Sequence, residues 1–395
     1  MAGRLKVLTV VGTRPEIIRM SRIIAAFEQH TDHVLVHTGQ NYDYELNEIF
    51  FEDLGLRRPD HFLDADTSSL GAVLGDVLRG TERVLMREQP DAMVVLGDTN
   101  SCISALIARR LKVPTYHLEA GNRSFDPNVP EEINRHLVDH VADYNLVYSE
   151  HSRRNLLDEG LSPATVIHMG SPMREVIDFY RGAIDASDVL ERLSLTKGEY
   201  LVASVHREEN VDSIERLQHV LESLAAVAED QLVPMLVSTH PRTRKRIAQY
   251  GLLPKANVIL HKPLGFSDYV KLQRSARCVI SDSGTISEES TILGFPAVTI
   301  RDAIERPEAL EVGGMIVTGL DPKDVSDAVA ITISQHREAG VAAIPHDYLI
   351  TDSSRRVLNL IRSTAQSHHA RNAVRVDRKA NGAMPPAFIP GPERP

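Results

Sequence analysis

Short polar clusters close many of the apolar runs in this chain, and their residue types suit acid–base chemistry on an anionic ligand. Gly97-Asp98-Thr99-Asn100, Glu119-Ala120-Gly121-Asn122-Arg123 and His206-Arg207-Glu208-Glu209-Asn210 each follow such a run, and Glu131 opens the helical pattern "VPEEINRH". Asp98, Glu119, Glu131 and His206 are therefore the acid/base candidates, because carboxyl and imidazole groups are the usual proton carriers. Buried carboxylates are costly unless paired or used, so several at one edge favour a catalytic site. Each also has a plainer reading: Asp98 as an N-cap, Glu131 as a first-turn helix charge that Glu132 would supply equally well, and His206 as a strand-end hydrogen-bonder.

A second set suits phosphate and ribose. Arg14 and Arg19 lie at the start of a helical pattern in "GTRPEIIRM", where the helix N-terminus also favours an anion. In "CVISDSGTISEES" a strand breaks into a helix through Asp282, Ser283, Gly284 and Thr285; a small residue there lets an anion approach the backbone N–H groups. Glu289, one turn on, suits the two hydroxyls of a ribose. Together these fit a nucleoside diphosphate. Taken locally, Thr285-x-x-Glu288 also matches a capping box, and Pro15 suits a first helical turn. No G-x-G-x-x-G or G-x-x-x-x-G-K-[ST] follows a strand, which argues against a dinucleotide or P-loop site.

The elements that must hold these groups follow from hydrophobic periodicity. "KVLTVVG", "HVLVHTG", "AMVVLGD", "PTYHLEA", "YNLVYSE" and "TVIHMG" read as strands in the first half; "YLVASVH", "PMLVSTH", "NVILHKP", "CVISDS", "PAVTIR" and "MIVTG" read as strands in the second. Amphipathic helical stretches such as "PEIIRMSRIIAAFEQH" and "SIERLQHVLESLAAVAE" separate them, so the strands belong to parallel sheets covered on both faces. So many strands divide best into two doubly wound α/β halves, with a seam near residue 185. The expected division is 1–184 with the carboxylates, 185–365 with the diphosphate site, and a disordered tail over 366–395 rich in Pro, Gly and Arg. Parallel strands share one direction, so the polar clusters share one edge of each sheet. Two such edges facing across a cleft make an active site.

Composition narrows the class. At 395 residues the chain suits about two domains, and 42% apolar with 25% charged residues is ordinary for a globular protein. A net charge of −10 argues against a nucleic-acid partner. Two cysteines, no zinc spacing among seventeen histidines and no apolar run near the ~20 residues of a membrane span predict a reduced, cytoplasmic protein without a metal or a membrane. "MAGRLKVLTVVG" reads as a first strand rather than a leader.

The motifs "GTRPEIIRM", "GDTNS", "EAGNR", "PEEINR", "HREEN", "SDSGTISEE" and "RDAIERPE" come in the order and spacing of the non-hydrolysing UDP-N-acetylglucosamine 2-epimerase family, which the chain resembles over roughly residues 6 to 365. "HTGQNYDYELNEIFFEDLGL", "EAGNRSFD", "HREENVD" and "STHPRTRKR" are similar to one branch, the UDP-N-acetyl-L-fucosamine synthases, which act on UDP-2-acetamido-2,6-dideoxy-L-talose in surface-polysaccharide assembly. The resemblance implies a glycosyltransferase-B-like architecture of two Rossmann-like domains and a homodimer. It implies that Arg14, His206, Ser283, Gly284, Glu289 and Arg306 hold UDP, that Tyr269 stacks on uracil, and that Asp98, Glu119 and Glu131 are the catalytic carboxylates, with Arg135 beside them. No cofactor is expected. Arg19 stands where the wider family usually has lysine, and Thr285 where it has a second glycine. "TGQNYD" departs from the "TGQH" of a regulatory UDP-GlcNAc site in some relatives. The competing readings are a glycosyltransferase of the same architecture, a hydrolysing epimerase and an inactive nucleotide-sugar sensor.

Overall fold

The protein is described from a computed structural model that covers residues 4–39, 50–302, 305–340, 342–372 and 374. The apolar runs form strands of two sheets. The first contains β1 (Lys6–Val11), β2 (Asp32–His37), β3 (His61–Phe62), β4 (Ala92–Leu96), β5 (Thr115–Ala120), β6 (Tyr144–Val147) and β7 (Val166–His168). The second contains β8 (Leu201–Ser204), β9 (Met235–Ser238), β10 (Val258–His261), β11 (Val279–Ser281), β12 (Ala297–Ile300) and β13 (Ile316–Thr318). Only β3 was not legible as an apolar run: it is two residues long, at the edge beside β2, and Phe62 is exposed.

The strand orders are β3-β2-β1-β4-β5-β6-β7 and β10-β9-β8-β11-β12-β13, and every neighbouring pair is parallel. Both sheets therefore reverse direction once, between β1 and β4 and between β8 and β11. Crevices open at such switch points, outside the carboxyl ends of the strands. β4 is buried along its whole length, as a central strand covered on two faces must be.

The helix Arg14–His30 shows how the covering layer is specified. A capping box between Thr13 and Glu16 starts it, with Pro15 in its first turn. Ile17, Met20, Ile23, Ile24 and Phe27 recur at helical spacing and are fully buried against Val7, Val11 and Leu35. The chain passes between the sheets after the helix Met173–Ala186: Ile184 packs in the first core and Val189 in the second. It also returns. The helix Ser353–Thr364 follows the second sheet in sequence, yet its Val357 and Ile361 pack in the first core against the helix Arg14–His30. The expected tail falls mostly outside the described residues. Its first residues are ordered differently from that expectation: His368–Arg371 form a helical turn, with His368 buried edge-on to Tyr144. Of the "TGQNYD" stretch, residues 40–43 also lie outside the described residues.

Candidate active site

A cavity of about 350 Å³ lies where the two strand-end edges meet, within the usual size of small-molecule sites. The turn after β1 supplies Thr13 and Arg14, and the turn after β4 supplies Thr99. From the second sheet come Ser204, His206, Ser238, His240, Ser283, Thr285 and Glu289, and Leu264, Phe266 and Tyr269 form an apolar wall. A lining that combines polar groups with an apolar, partly aromatic wall suits a ligand with a charged end and a planar end.

Asp98 adjoins Thr99 of the lining, and it and Glu119 are each placed by a backbone device. Asp98 follows Gly97, whose φ of +72° turns the chain out of β4. Glu119 interrupts the β5–β6 ladder at a register shift between Leu118 and Ala120, and its own φ is +64°. A bulge with a left-handed, non-glycine residue costs of order 1–3 kcal/mol and re-aims the side chain, a strain found mostly at functional positions. Behind both turns, His117 lies between Asp139 and the carbonyl of Gly97, 2.8 Å from each. Burial opposes the imidazolium, but these two acceptors outweigh it and raise the His117 pKa. Asp139 also accepts from the backbone N–H of Gly121 at 3.1 Å, tying the ends of β4 and β5 together.

Two neutral ion clusters join the edges. In the first, Arg19 donates to Glu119 and, at 2.8 Å, to Glu288, while Arg306 pairs with Glu119 at 2.5 Å and with Glu288 at 2.8 Å. In the second, Arg135 pairs with Asp98 at 2.5 Å, with Glu132 at 2.8 Å and with Glu305 at 3.0 Å; Glu305 also pairs with Arg207 at 3.2 Å and Arg301 at 2.8 Å. Both clusters draw charges from both sheets. Glu16 forms a third, smaller knot: its carboxyl accepts from the backbone N–H groups of Gly12 and Thr13 and from the hydroxyls of Thr99 and Ser101.

The electrostatics separate the groups by role. Burial raises the Glu131 pKa, with Asp98 adding to it and Arg207 and Arg135 opposing, so this carboxyl holds its proton above the ordinary range. Burial likewise raises Glu289, against hydrogen bonds from Gln273 and Thr285. His206 opens to the cavity, but desolvation lowers its pKa. Asp282, 3.3 Å away, opposes that, and Arg207, Arg14 and Arg301 add to it. The imidazole is therefore biased toward its neutral form.

Of the residues singled out in the sequence, Arg14, His206, Tyr269, Ser283, Thr285 and Glu289 line the cavity. Gly284 lies just behind, where an added Cβ would meet Glu305 at 3.2 Å and Arg207 at 3.5 Å. Arg19, Arg135, Arg306, Asp98 and Glu119 stand in the ion clusters. The plainer reading of Asp98 falls to a neighbour: Thr99, not Asp98, caps the following turn, while Glu131 and Glu132 both stand in the first turn of their helix. Glu132, not Glu131, accepts from Ser124 and Phe125 and braces Arg135. The capping box expected of Thr285 and Glu288 is absent. Thr285 makes no side-chain cap, its hydroxyl lying 2.9 Å from that of Ser283, and Glu288 is turned inward to Arg19 and Arg306. Sequence reasoning missed Glu288, Glu305, Arg207 and Glu16, although all four lie inside the quoted motifs; their partners come from distant turns. His136, His140 and Glu159 also converge at the surface. Arg123 already donates to both oxygens of Glu159, at 2.7 and 2.8 Å, which makes that group an ion-pair cluster.

Comparison with known proteins agrees with this architecture. The family model described as UDP-N-acetylglucosamine 2-epimerase matches residues 25–362. The UDP-N-acetylglucosamine 2-epimerase of Methanocaldococcus jannaschii is 36% identical over 345 residues, 84% of this chain and 93% of that one. The UDP-2,3-diacetamido-2,3-dideoxy-D-glucuronate 2-epimerase of Pseudomonas aeruginosa is 36% identical over 321 residues, 80% of this chain and 88% of that one. Among solved structures, the UDP-N-acetylglucosamine 2-epimerase of Rickettsia bellii is 41% identical with a TM-score of 0.85, covering 93% of this chain and 98% of that one. The Methanocaldococcus jannaschii enzyme in complex with UDP-GlcNAc and UDP is 34% identical with a TM-score of 0.86, covering 91% of this chain and 100% of that one.

Proposed function

This chain belongs to the UDP-N-acetylglucosamine 2-epimerase family, and from that premise we propose that it is an isomerase inverting C2 of a UDP-activated 2-acetamido sugar. The observation that supports the reading is a cavity lined by Arg14, His206 and Glu289, with Asp98 adjoining its lining residue Thr99, Glu119 paired with Arg306, and Glu131 close enough to Asp98 to feel its charge. The hydrogen at C2 of such a sugar is not alpha to a carbonyl, so direct abstraction is unreasonably hard. Eliminating UDP across C1–C2 avoids that: C2 loses its proton to a carboxylate, the C1–O bond breaks, and a 2-acetamidoglycal and UDP share the closed cleft. UDP then re-adds at C1 while a proton reaches the opposite face of C2. The sequence of steps is redox-neutral.

Each step asks for something the site offers. The leaving diphosphate needs positive charge that is already in place, which Arg14 on the cavity wall supplies, with Arg19 and Arg306 close behind. Proton removal and return on two faces need two acid/base groups, drawn from Asp98, Glu119 and Glu131, each contributing roughly 10²–10⁴-fold. Glu131, with its raised pKa, suits the donor. Tyr269 suits the uracil and Glu289 the ribose.

For the sugar, the branch motifs "HTGQNYDYELNEIFFEDLGL", "HREENVD" and "STHPRTRKR" support UDP-2-acetamido-2,6-dideoxy-L-talose, giving UDP-N-acetyl-L-fucosamine for surface polysaccharide. The names of the relatives favour UDP-GlcNAc as the second reading. A proton NMR time course in D₂O with each sugar separates them. Deuterium at C2 of a fucosamine-type product, without turnover of UDP-GlcNAc, is the expected result. Turnover of UDP-GlcNAc alone transfers the chemistry to the second sugar. No deuterium in either overturns the epimerase reading.

A further inference from the structure

Of the four charges in the first ion cluster, one has no part in the reaction above. Glu119 is an acid/base candidate, and Arg19 and Arg306 stand close to the diphosphate end. Glu288 neither lines the cavity nor carries a proton in the scheme, yet its side chain is 0% exposed, the deepest of the four. A carboxylate buried that completely costs several kcal/mol unless its partners are well placed. Arg19 and Glu119 could have satisfied each other as a bidentate pair. Instead the guanidinium fork is split, Nη1 reaching Glu119 and Nη2 reaching Glu288. Arg306 repeats the pattern, with Nη2 on Glu119 and Nη1 facing Glu288. Glu119 is thus held at both oxygens by two arginines, and Glu288 sets the angle of each. A lysine ammonium, the usual residue of the wider family at position 19, is a point charge and lacks the fixed fork that spans two carboxylates in this way.

We propose that Glu288 is a positioning residue for the epimerisation: from the second domain it holds Arg19 and Arg306 so that the carboxylate of Glu119 is fixed for proton transfer. This rests on the acid/base role given to Glu119 above. Two of the four contacts, Arg19 with Glu288 and Arg306 with Glu119, run between the domains, so the ring is complete only when the cleft is closed. Neutralising Glu288 leaves two guanidiniums around one carboxylate. Their mutual repulsion then displaces Glu119, while Arg14, Tyr269 and Glu289, which line the cavity where neither Arg19 nor Arg306 does, keep their places.

The test compares wild type with Glu288→Gln and Glu288→Asp. Net epimerisation and C2 deuterium incorporation are followed with the sugar that wild type turns over, UDP binding by calorimetry, and the folded fraction by thermal unfolding. Misplacing a catalytic group by about 1 Å can cost 10²-fold, so kcat of Glu288→Gln is expected to fall by about 10–100-fold. KM and the UDP Kd are expected to stay within about threefold, the signature of an interaction made in the transition state alone. Glu288→Asp keeps the charge and withdraws it by one methylene; its kcat is expected between the two. If Glu288→Gln does not fold, Glu288→Asp is read alone, and a lowered kcat with unchanged KM supports the proposal. Unchanged kcat per folded enzyme, or a loss confined to UDP affinity, overturns it. A wild type that exchanges deuterium into neither sugar defeats the proposed function, and this role for Glu288 with it.

Discussion

Glu16 offers a sharp test of the electrostatics, because two opposing effects act on one buried group. Its side chain is sealed from solvent, and four donors converge on it: the backbone N–H groups of Gly12 and Thr13 and the hydroxyls of Thr99 and Ser101. Burial raises its pKa from 4.5 to about 7, and the hydrogen bonds offset only part of that. Between those two values the folded chain holds a proton that the unfolded chain has released. Stability attributable to Glu16 is therefore fully present below pH 4.5 and lost as pH rises through about 7. At 1.36 kcal/mol for each pH unit, the penalty above that range is about 3 kcal/mol. Glutamine has the shape of the protonated acid. Its carboxamide oxygen can accept from Gly12 and Thr13 while its NH₂ donates to the two hydroxyls, which rotate to receive it. Glu16→Gln should therefore match wild type within about 1 kcal/mol at pH 5 and exceed it by about 3 kcal/mol at pH 8.5, several degrees in Tm. Urea midpoints of both proteins from pH 5 to 8.5 measure this. A variant less stable than wild type by a constant margin at every pH would refute the reasoning, because it would mean that the four donors keep the carboxylate charged throughout.

Other substitutions probe the site and its scaffold. Asp98→Asn should lower kcat by about 10²–10⁴-fold with UDP affinity intact, since Arg135 remains braced by Glu132 and Glu305; calorimetry beside the NMR assay checks both. Tyr269→Ala should weaken UDP binding by about 1 kcal/mol or more while Tyr269→Phe stays near wild type; equal losses would show that the hydroxyl, not the ring, matters. Gly121→Ala should cost about 3–5 kcal/mol, because φ is +78° and an added Cβ would lie 2.3 Å from the carbonyl oxygen of Ser152. Thermal unfolding within a degree or two of wild type would contradict that.

Much of the fold is written in local pattern. Runs such as "AMVVL" and "AVTI" become fully buried strands because a stretch apolar on both faces is stable only between two covering layers. The polar residues that end those runs then share an edge by geometry alone, so His206, Ser283, Thr285 and Glu289 could be expected together before the cavity they line was known. β3 escaped because a two-residue edge strand has no periodicity to read. The helix Ser353–Thr364 showed its amphipathic face in sequence but not which sheet that face would cover.

The partners of the charged groups were beyond local reading. Thr285 and Glu288 have the spacing of a cap, and Thr13 and Glu16, with the same spacing, do form one. The difference is that Glu288 meets Arg19, 269 positions away, once the domains close, and a buried guanidinium outcompetes a backbone N–H for a carboxylate. Glu131 and Glu132 are likewise indistinguishable in "VPEEINRH"; Glu132 braces the loop at Ser124 and Phe125, and Glu131 sits where burial, and then Asp98, raise its pKa. Residue type and spacing determine which groups reach the strand ends. Which of them become paired, and which are left to move protons, depends on desolvation and on charges brought from the other sheet, and those exist only in the folded chain.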